Sequence, residues 1–289
     1  MIWKEVEEIG LSLVYVLLGV AMLLIAKIVK DLVTPYRIGE ELTEKDNPAL
    51  GLSLTGYFVA VVIIYLGASV GDTVQSGFDK TLPLFKMIGI DALYALAGIA
   101  ALLLGRVILD KLILYKFETK KEIIEDRNVG TGAVEFGGYV ATGLIVAGAI
   151  YGDGGGPLSA LVFFVLGQLV LILFGLFYQV ITGYDVHEEI EKDNVAAGVS
   201  LGGGMVAIGI ILFRATSLDF VAWNINLAEF GILAVTGFAV MLGMHKICDY
   251  VFLPKTTLAH EISVDRNVSA AWIESVLSMG MAAIICFML

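Results

Sequence analysis

The chain has 289 residues, 58% of them hydrophobic and 33 of them glycine, with a mean hydropathy of +0.88 and a formal net charge of −11. Soluble domains hold about 45–50% apolar residues, so one aqueous core cannot bury this much apolar surface, and lipid is the natural solvent for it. The acidic balance excludes the basic footprint of a nucleic-acid binder. Eight apolar runs follow in chain order, each close to the ~20 residues that cross a hydrocarbon core. They cover 9–29, 48–70, 85–109, 129–151, 158–181, 195–213, 227–248 and 268–289. Ahead of the first run stand Glu5, Glu7 and Glu8, where a cleaved leader carries basic residues, so that run reads as a retained helix. Cys248 and Cys286 both fall inside apolar runs and read as free thiols.

Basic residues sort unevenly between the runs. Lys30, Arg37 and Lys45 lie between the first and second, with Lys27 at the helix end. Lys111, Lys116, Lys120, Lys121 and Arg127 lie between the third and fourth, with Arg106 just inside. Lys192 follows the fifth, and Lys246, Lys255 and Arg266 lie around the junction of the seventh and eighth. The other side holds Lys4, Lys80, Lys86 and Arg214. Positive residues stay in the cytoplasm, which places the first set there and both termini outside.

The connections on the basic side repeat. Glu41, Glu122, Glu188 and Glu261 each stand six residues before an Asn, at Asn47, Asn128, Asn194 and Asn267. The first and third copies share Glu-Lys-Asp-Asn at 44–47 and 191–194; the second and fourth share Asp-Arg-Asn-Val at 126–129 and 265–268. The order is therefore A-B-A-B: four parallel two-helix repeats in an all-α membrane protein, with two pseudo-twofold related halves at 1–152 and 153–289. Each Asn opens an apolar run, where its side chain can satisfy an orphan backbone N–H as an N-cap. Pro48 follows Asn47 at a first helical position, where its missing N–H costs nothing. The Glu-rich stretch before each cap fits either a short interfacial helix or a solvated loop.

Thr34-Pro35-Tyr36, then Glu-Glu-Leu at 40–42, then Asp46-Asn47-Pro48-Ala49 and a Gly-rich helix resemble domain of unknown function 350. Thr182-Gly183-Tyr184 and Asn194-Val195-Ala196-Ala197-Gly198 carry the same resemblance in the third repeat. The second and fourth repeats depart from it, with Tyr115 and Leu253 near the place of Thr-Pro-Tyr. The resemblance implies paired transmembrane helices in a bacterial inner membrane and carries no chemistry with it.

Candidate sites are the charges in the wrong solvent. Glu135 and Glu274 each stand seven residues after their Asn, about 10 Å into the helix on the face of the cap. Acids at that depth cost several kcal/mol and mark functional sites by default. The A-repeat equivalents are Leu54 and Leu201, so only B repeats carry the acid. Arg106 and Asp110 are four apart, and His245 and Asp249 match them, each pair sharing a helix face. Two readings stay open: local ion pairs that ease burial, or a proton or metal site joining His245, Asp249 and Glu274. Parallel repeats relate by an axis along the membrane normal, and Glu135 and Glu274 are expected to face each other across it.

The Gly runs at 137–138 and 202–204 are expected at close helix contacts. Gly152 to Pro157 reads as an external turn. Phosphate-loop, His-Glu-x-x-His and nucleophile-elbow patterns are absent, and no metal or other cofactor is expected. The leading expectation is therefore a cation or proton channel or carrier rather than an enzyme, with the bilayer and a monovalent cation or proton as partners. The alternative is a membrane scaffold whose cytoplasmic acidic loops dock a protein; a second copy of the chain is a further candidate partner.

Overall fold

The computed structural model describes the backbone of residues 2–75, 84–151 and 154–289, and the side chains of these except 2–9, 11, 71–75 and 84. Lys80 and Asp153, and the side chains of Lys4, Glu5, Glu7 and Glu8, lie outside the described residues. The described chain is helical and contains eight helices long and apolar enough to span a bilayer. These are α1 (Ile2–Val33), α3 (Pro48–Gln75), α4 (Leu84–Ile108), α6 (Val129–Tyr151), α7 (Gly156–Ile181), α9 (Val195–Thr216), α10 (Trp223–Ile247) and α12 (Val268–Met288). Four six-residue helices precede the Asn residues: α2 (Ile38–Thr43), α5 (Thr119–Ile124), α8 (Val186–Glu191) and α11 (Leu258–Ser263). The Glu-rich stretches therefore fold as short helices rather than loops. The last three bury an apolar side, through Ile123, Val186 and Ile190, and Leu258 and Ile262, while in the first the buried residue is Glu41.

The third and seventh spans run further than their hydropathy suggests. Each continues through a π-helical turn, Leu109–Ile113 and Cys248–Phe252, which carries Asp110 or Asp249. The first span also shifts toward the caps, to Ser12–Val33, and draws Lys27 and Lys30 into the helix. Lys30 is thus not a loop charge. It is buried, donates to Tyr139 Oη at 2.5 Å and sits 5.1 and 4.8 Å from the ring centroids of Tyr57 and Tyr139, which offset its desolvation.

The helices form two layers. Inner helices α3, α6, α9 and α12 pack side by side in that order, so α9 stands between α6 and α12. Outer helices α4, α7 and α10 each lean on their own inner helix and on the one before it. Burial follows position in this row: 78% of the most apolar stretch of α6 and of α9 is buried, against 50% for α3 and 28% for α12. Among outer helices α1 is the barest at 11%, against 33–39% for the other three, because it packs mainly on α3 and α4 and stands at the edge of the described row.

Glycine sets the spacing of the row. A Cβ on Gly137 would lie 2.2 Å from Gly202 O, and one on Gly198 would lie 2.2 Å from Gly130 O. Backbones therefore touch directly between α6 and α9. That contact maximises dispersion attraction where lipid offers no hydrophobic drive between helices.

Each Asn caps its helix as expected. The Oδ1 atoms accept from Leu50, Thr131 and Ala197 N at 3.1, 3.0 and 3.3 Å, and for Asn267 from Ser269 and Ala270 N at 3.0 and 3.2 Å. The residue before each cap is left-handed: Asp46, Arg127, Asp193 and Arg266 have φ of 47, 55, 60 and 50°. A second bond, unseen in the sequence, joins the repeats. The Nδ2 of Asn47, Asn128 and Asn194 donates to Ile123, Ile190 and Ile262 O in the following repeat, at 2.9, 2.6 and 2.7 Å.

One motif residue is corrected. Asn47, Asn128 and Asn267 donate to Glu41, Glu122 and Glu261 at 3.4, 2.8 and 2.7 Å, but Asn194 donates to Glu189 at 2.8 Å instead of Glu188. The third connection is one residue shorter from Tyr to Asn, ten steps from Tyr184 against eleven from Tyr36. The backbone N–H of Asn194 accordingly donates to Glu189 O, and Glu188 turns out to Lys192. The Lys45 ammonium beside Glu41 holds its carboxyl below the usual carboxylate range, whereas burial pushes that of Glu122 up.

Candidate functional site

Two buried clusters lie at matching depth in α6 and α12. Glu135 is 1% exposed and accepts a short hydrogen bond from Ser53 Oγ on α3. Arg106 on α4 approaches it from the other side, Nη2 to Oε1 at 3.4 Å, and holds Asp110 at 3.6 Å. Lys30 with Tyr139 stands against the same cluster, since Tyr139 is one helical turn beyond Glu135. Three helices are tied together by one carboxylate.

Glu274 is 3% exposed and accepts a short hydrogen bond from Ser200 Oγ on α9. Tyr178 on α7 donates to it at 3.3 Å, and Tyr178 and Ser200 hydroxyls are 2.6 Å apart. His245 on α10 meets Glu274 Oε1 through Nδ1 at 2.9 Å, and its ring is buried. The clusters follow one plan, with Ser from the preceding inner helix and a nitrogen base from the outer helix. They differ in the base, a guanidinium from α4 in the first and an imidazole from α10 in the second.

The structure therefore brings Arg106 to both Glu135 and Asp110, and His245 to Glu274. It does not bring Asp249 into the second cluster. Asp249 Oδ1 accepts from Leu258 N at 2.7 Å, capping α11, and its charge partner is Lys246 at 3.9 Å. Nor do the two glutamates face each other. With α9 between α6 and α12, each carboxylate turns to the serine of the inner helix before it. Repeats stacked in a row place equivalent residues one repeat-pair apart rather than across an axis.

Sequence reasoning missed Ser53, Ser200, Lys30, Tyr139 and Tyr178. A signal was present: Ser53 and Ser200 each stand six residues after an A-repeat Asn, and Lys30 and Tyr178 each stand four before Thr34 and Thr182. His187, the second buried imidazole, is a satisfied structural residue that meets Ile113 O at 2.6 Å. Cys248 is buried and unpaired, and Cys286 is half-buried and unpaired.

With this geometry in view, the profile of the family described as Domain of Unknown Function (DUF350) matches residues 4–150 and again 154–289. A "UPF0719 transmembrane protein" of Aquifex aeolicus (strain VF5) is 24% identical over 243 residues, 83% of this chain and 85% of its own length. The "UPF0719 transmembrane protein YshE" of Bacillus subtilis (strain 168) is 25% identical over 128 residues, 43% of this chain and 87% of its own length. No solved structure matches the chain.

Proposed function

The chain belongs to the DUF350 family, so its activity has to come from its own residues, and we propose that it binds and relays protons within the membrane through Glu274 and His245. The carrying observation is the 2.9 Å contact between a buried imidazole and a buried carboxyl, beside the hydroxyl pair of Tyr178 and Ser200. Hydroxyls, a carboxylate and an imidazole are proton-passing groups, which favours a proton over a bare metal cation. Glu135 is the fixed counterpart: with Arg106 permanently charged beside it, that half holds an ion pair.

In proteoliposomes carrying a pH gradient, the chain is expected to dissipate it. Glu274→Gln should slow that by about a hundredfold, the scale of a lost acid–base group, while the protein still melts cooperatively in detergent. A gradient equally stable with the chain and without it would reject the reading. The second reading, a membrane scaffold, is favoured by the sealing of both carboxylates in bonds to two or three neighbouring helices. It is selected if no flux occurs and Glu274→Gln lowers only the melting temperature.

We place the chain in a bacterial inner membrane with the Asn-capped side in the cytoplasm. Once Lys30 is removed from the count, that side still carries Arg37, Lys45, Lys116, Lys120, Lys121, Arg127, Lys192, Lys255 and Arg266, against Lys86 and Arg214 among described residues opposite. A Lys120→Cys variant should react with an impermeant maleimide only after the cells are opened. Reaction in intact cells would invert the topology.

A further inference from the structure

The Thr-x-Tyr motif of the A repeats has no part in the pairs described above. Tyr184 follows Thr182 and Gly183 in the connection between α7 and α8, on the capped side. Gly183 has a φ of 75°, the left-handed region open to glycine, and this turn lets the next side chain point back into the bundle. The Tyr184 carbonyl is pinned there, accepting from Gln179 Nε2 at 3.2 Å and Thr182 Oγ1 at 3.4 Å. Its hydroxyl is placed differently. It is buried beside Tyr178 and Glu274, with Glu189 of α8 nearby, and it meets hydrogen-bond geometry with none of them. Burial and the Glu274 carboxylate push the phenol above its ordinary value, so it keeps its proton.

A buried donor left without an acceptor is destabilising and calls for a reason. In the first half the matching Tyr36 lies against the Arg106 guanidinium, whose N–H groups its oxygen can accept. In the second half the base is His245, and its Nδ1 is already engaged by Glu274. Tyr184 therefore stands beside Glu274 with its proton and its lone pairs uncommitted. The side of the cluster away from the caps is closed. One turn beyond Ser200, a Cβ on Gly204 would lie 2.7 Å from Phe174 Cζ and 3.4 Å from Met241 Cε, so both side chains press on α9 there. Ser278, one turn beyond Glu274, is buried with its hydroxyl unpaired, but Ala282, the next residue on that face, is apolar and fully buried.

We propose that the Glu274–His245 site, on the reading of it as a proton site, exchanges its proton in this conformation with the capped side alone, and that Tyr184 is the gate. Tyr184 Oη passes its proton through the Tyr178 hydroxyl to the Glu274 carboxylate and takes one from water at the capped surface, so no tyrosinate remains. Release runs the same hops in reverse. Tyr184 is a partly exposed residue on a connection, so rotation of one side chain, rather than movement of a helix, opens the route. Transport then needs the Phe174–Met241 side to open in its turn, which makes the chain a carrier rather than an open channel.

The test places the full chain in nanodiscs and moves it from light into heavy water, while infrared spectra follow the carboxyl band that Glu274→Gln removes. Tyr184→Phe keeps the ring and deletes only the unpaired hydroxyl. It should slow deuterium entry at that band about a hundredfold, the scale of a positioned proton-transfer group. Its melting temperature should stay level or rise, since no hydrogen bond is lost. Ser278→Ala, on the closed side, should leave the exchange unchanged. Equal exchange in Tyr184→Phe and the parent chain, or slowing in Ser278→Ala instead, would overturn the proposal. So would the absence of a Glu274 carboxyl band throughout the pH range of folding. The readout needs no net flux: a chain that exchanges Glu274 through Tyr184 yet leaves a pH gradient intact would reject the relay and retain the gate.

Discussion

Glu135→Ala is expected to destabilise the folded chain by about 3–5 kcal/mol, the cost of leaving a buried charge without its partner. The alanine leaves the Arg106 guanidinium facing an apolar wall, with Asp110 at 3.6 Å as its remaining counter-charge, and also strands the Ser53 hydroxyl. The charge, rather than the lost volume, is the main cause, and a double variant separates them. Glu135→Ala with Arg106→Leu removes both charges and should recover most of the loss, since a buried pair replaced by apolar groups is often neutral. Equilibrium unfolding in mixed micelles measures both. Equal destabilisation of the single and double variants would show that packing, not the ion pair, holds that site.

Gly137→Leu should cost about 3 kcal/mol or more, at the upper end of overpacking penalties, because the obstacle is backbone. Its Cβ would lie 2.2 Å from Gly202 O, and a main-chain carbonyl cannot rotate away as a side chain can. The α6–α9 contact would have to open along its length, and it is the seam between the two family-matched segments. Gly280→Leu on α12 is the control, with nothing within 4 Å of its Cβ, and should leave the melting temperature unchanged. Thermal unfolding in detergent compares the two. If Gly137→Leu melts with the parent chain, the helices are not held by this contact.

The architecture was readable because each repeat writes the same local instructions: an acidic short helix, a left-handed residue, an Asn cap and an apolar run. The eight spans, the caps at Asn47, Asn128, Asn194 and Asn267, and the glycine contacts all follow from residue type and period. The joining of His245 with Glu274 was legible from misfit charges at repeat-matched positions, whereas Arg106 was read only with Asp110 and its contact with Glu135 came from the structure. What the pattern could not give is how repeats stack. Periodicity fixes which face of a helix is buried but not whether four repeats close around an axis or stand in a row. The expectation that Glu135 and Glu274 face each other failed on that point. Lys30 was hidden for a related reason: hydropathy ends a span at its first lysines, and only the tertiary arrangement supplies the Tyr57 and Tyr139 rings that let the helix continue through it. Glu188 misled because one residue is missing upstream, and a fixed six-residue offset cannot register a shortened turn.

The amides that join one repeat to the next all point the same way along the chain. Asn47, Asn128 and Asn194 each donate forward, to a carbonyl that is made later by the ribosome. During synthesis each of these three amides, which also donates to a Glu of its own repeat, lacks its second acceptor until the following repeat is made. The arrival of the following short helix satisfies it. The bonds between repeats are thus polar along the chain: each of the first three caps is completed by the repeat that follows it.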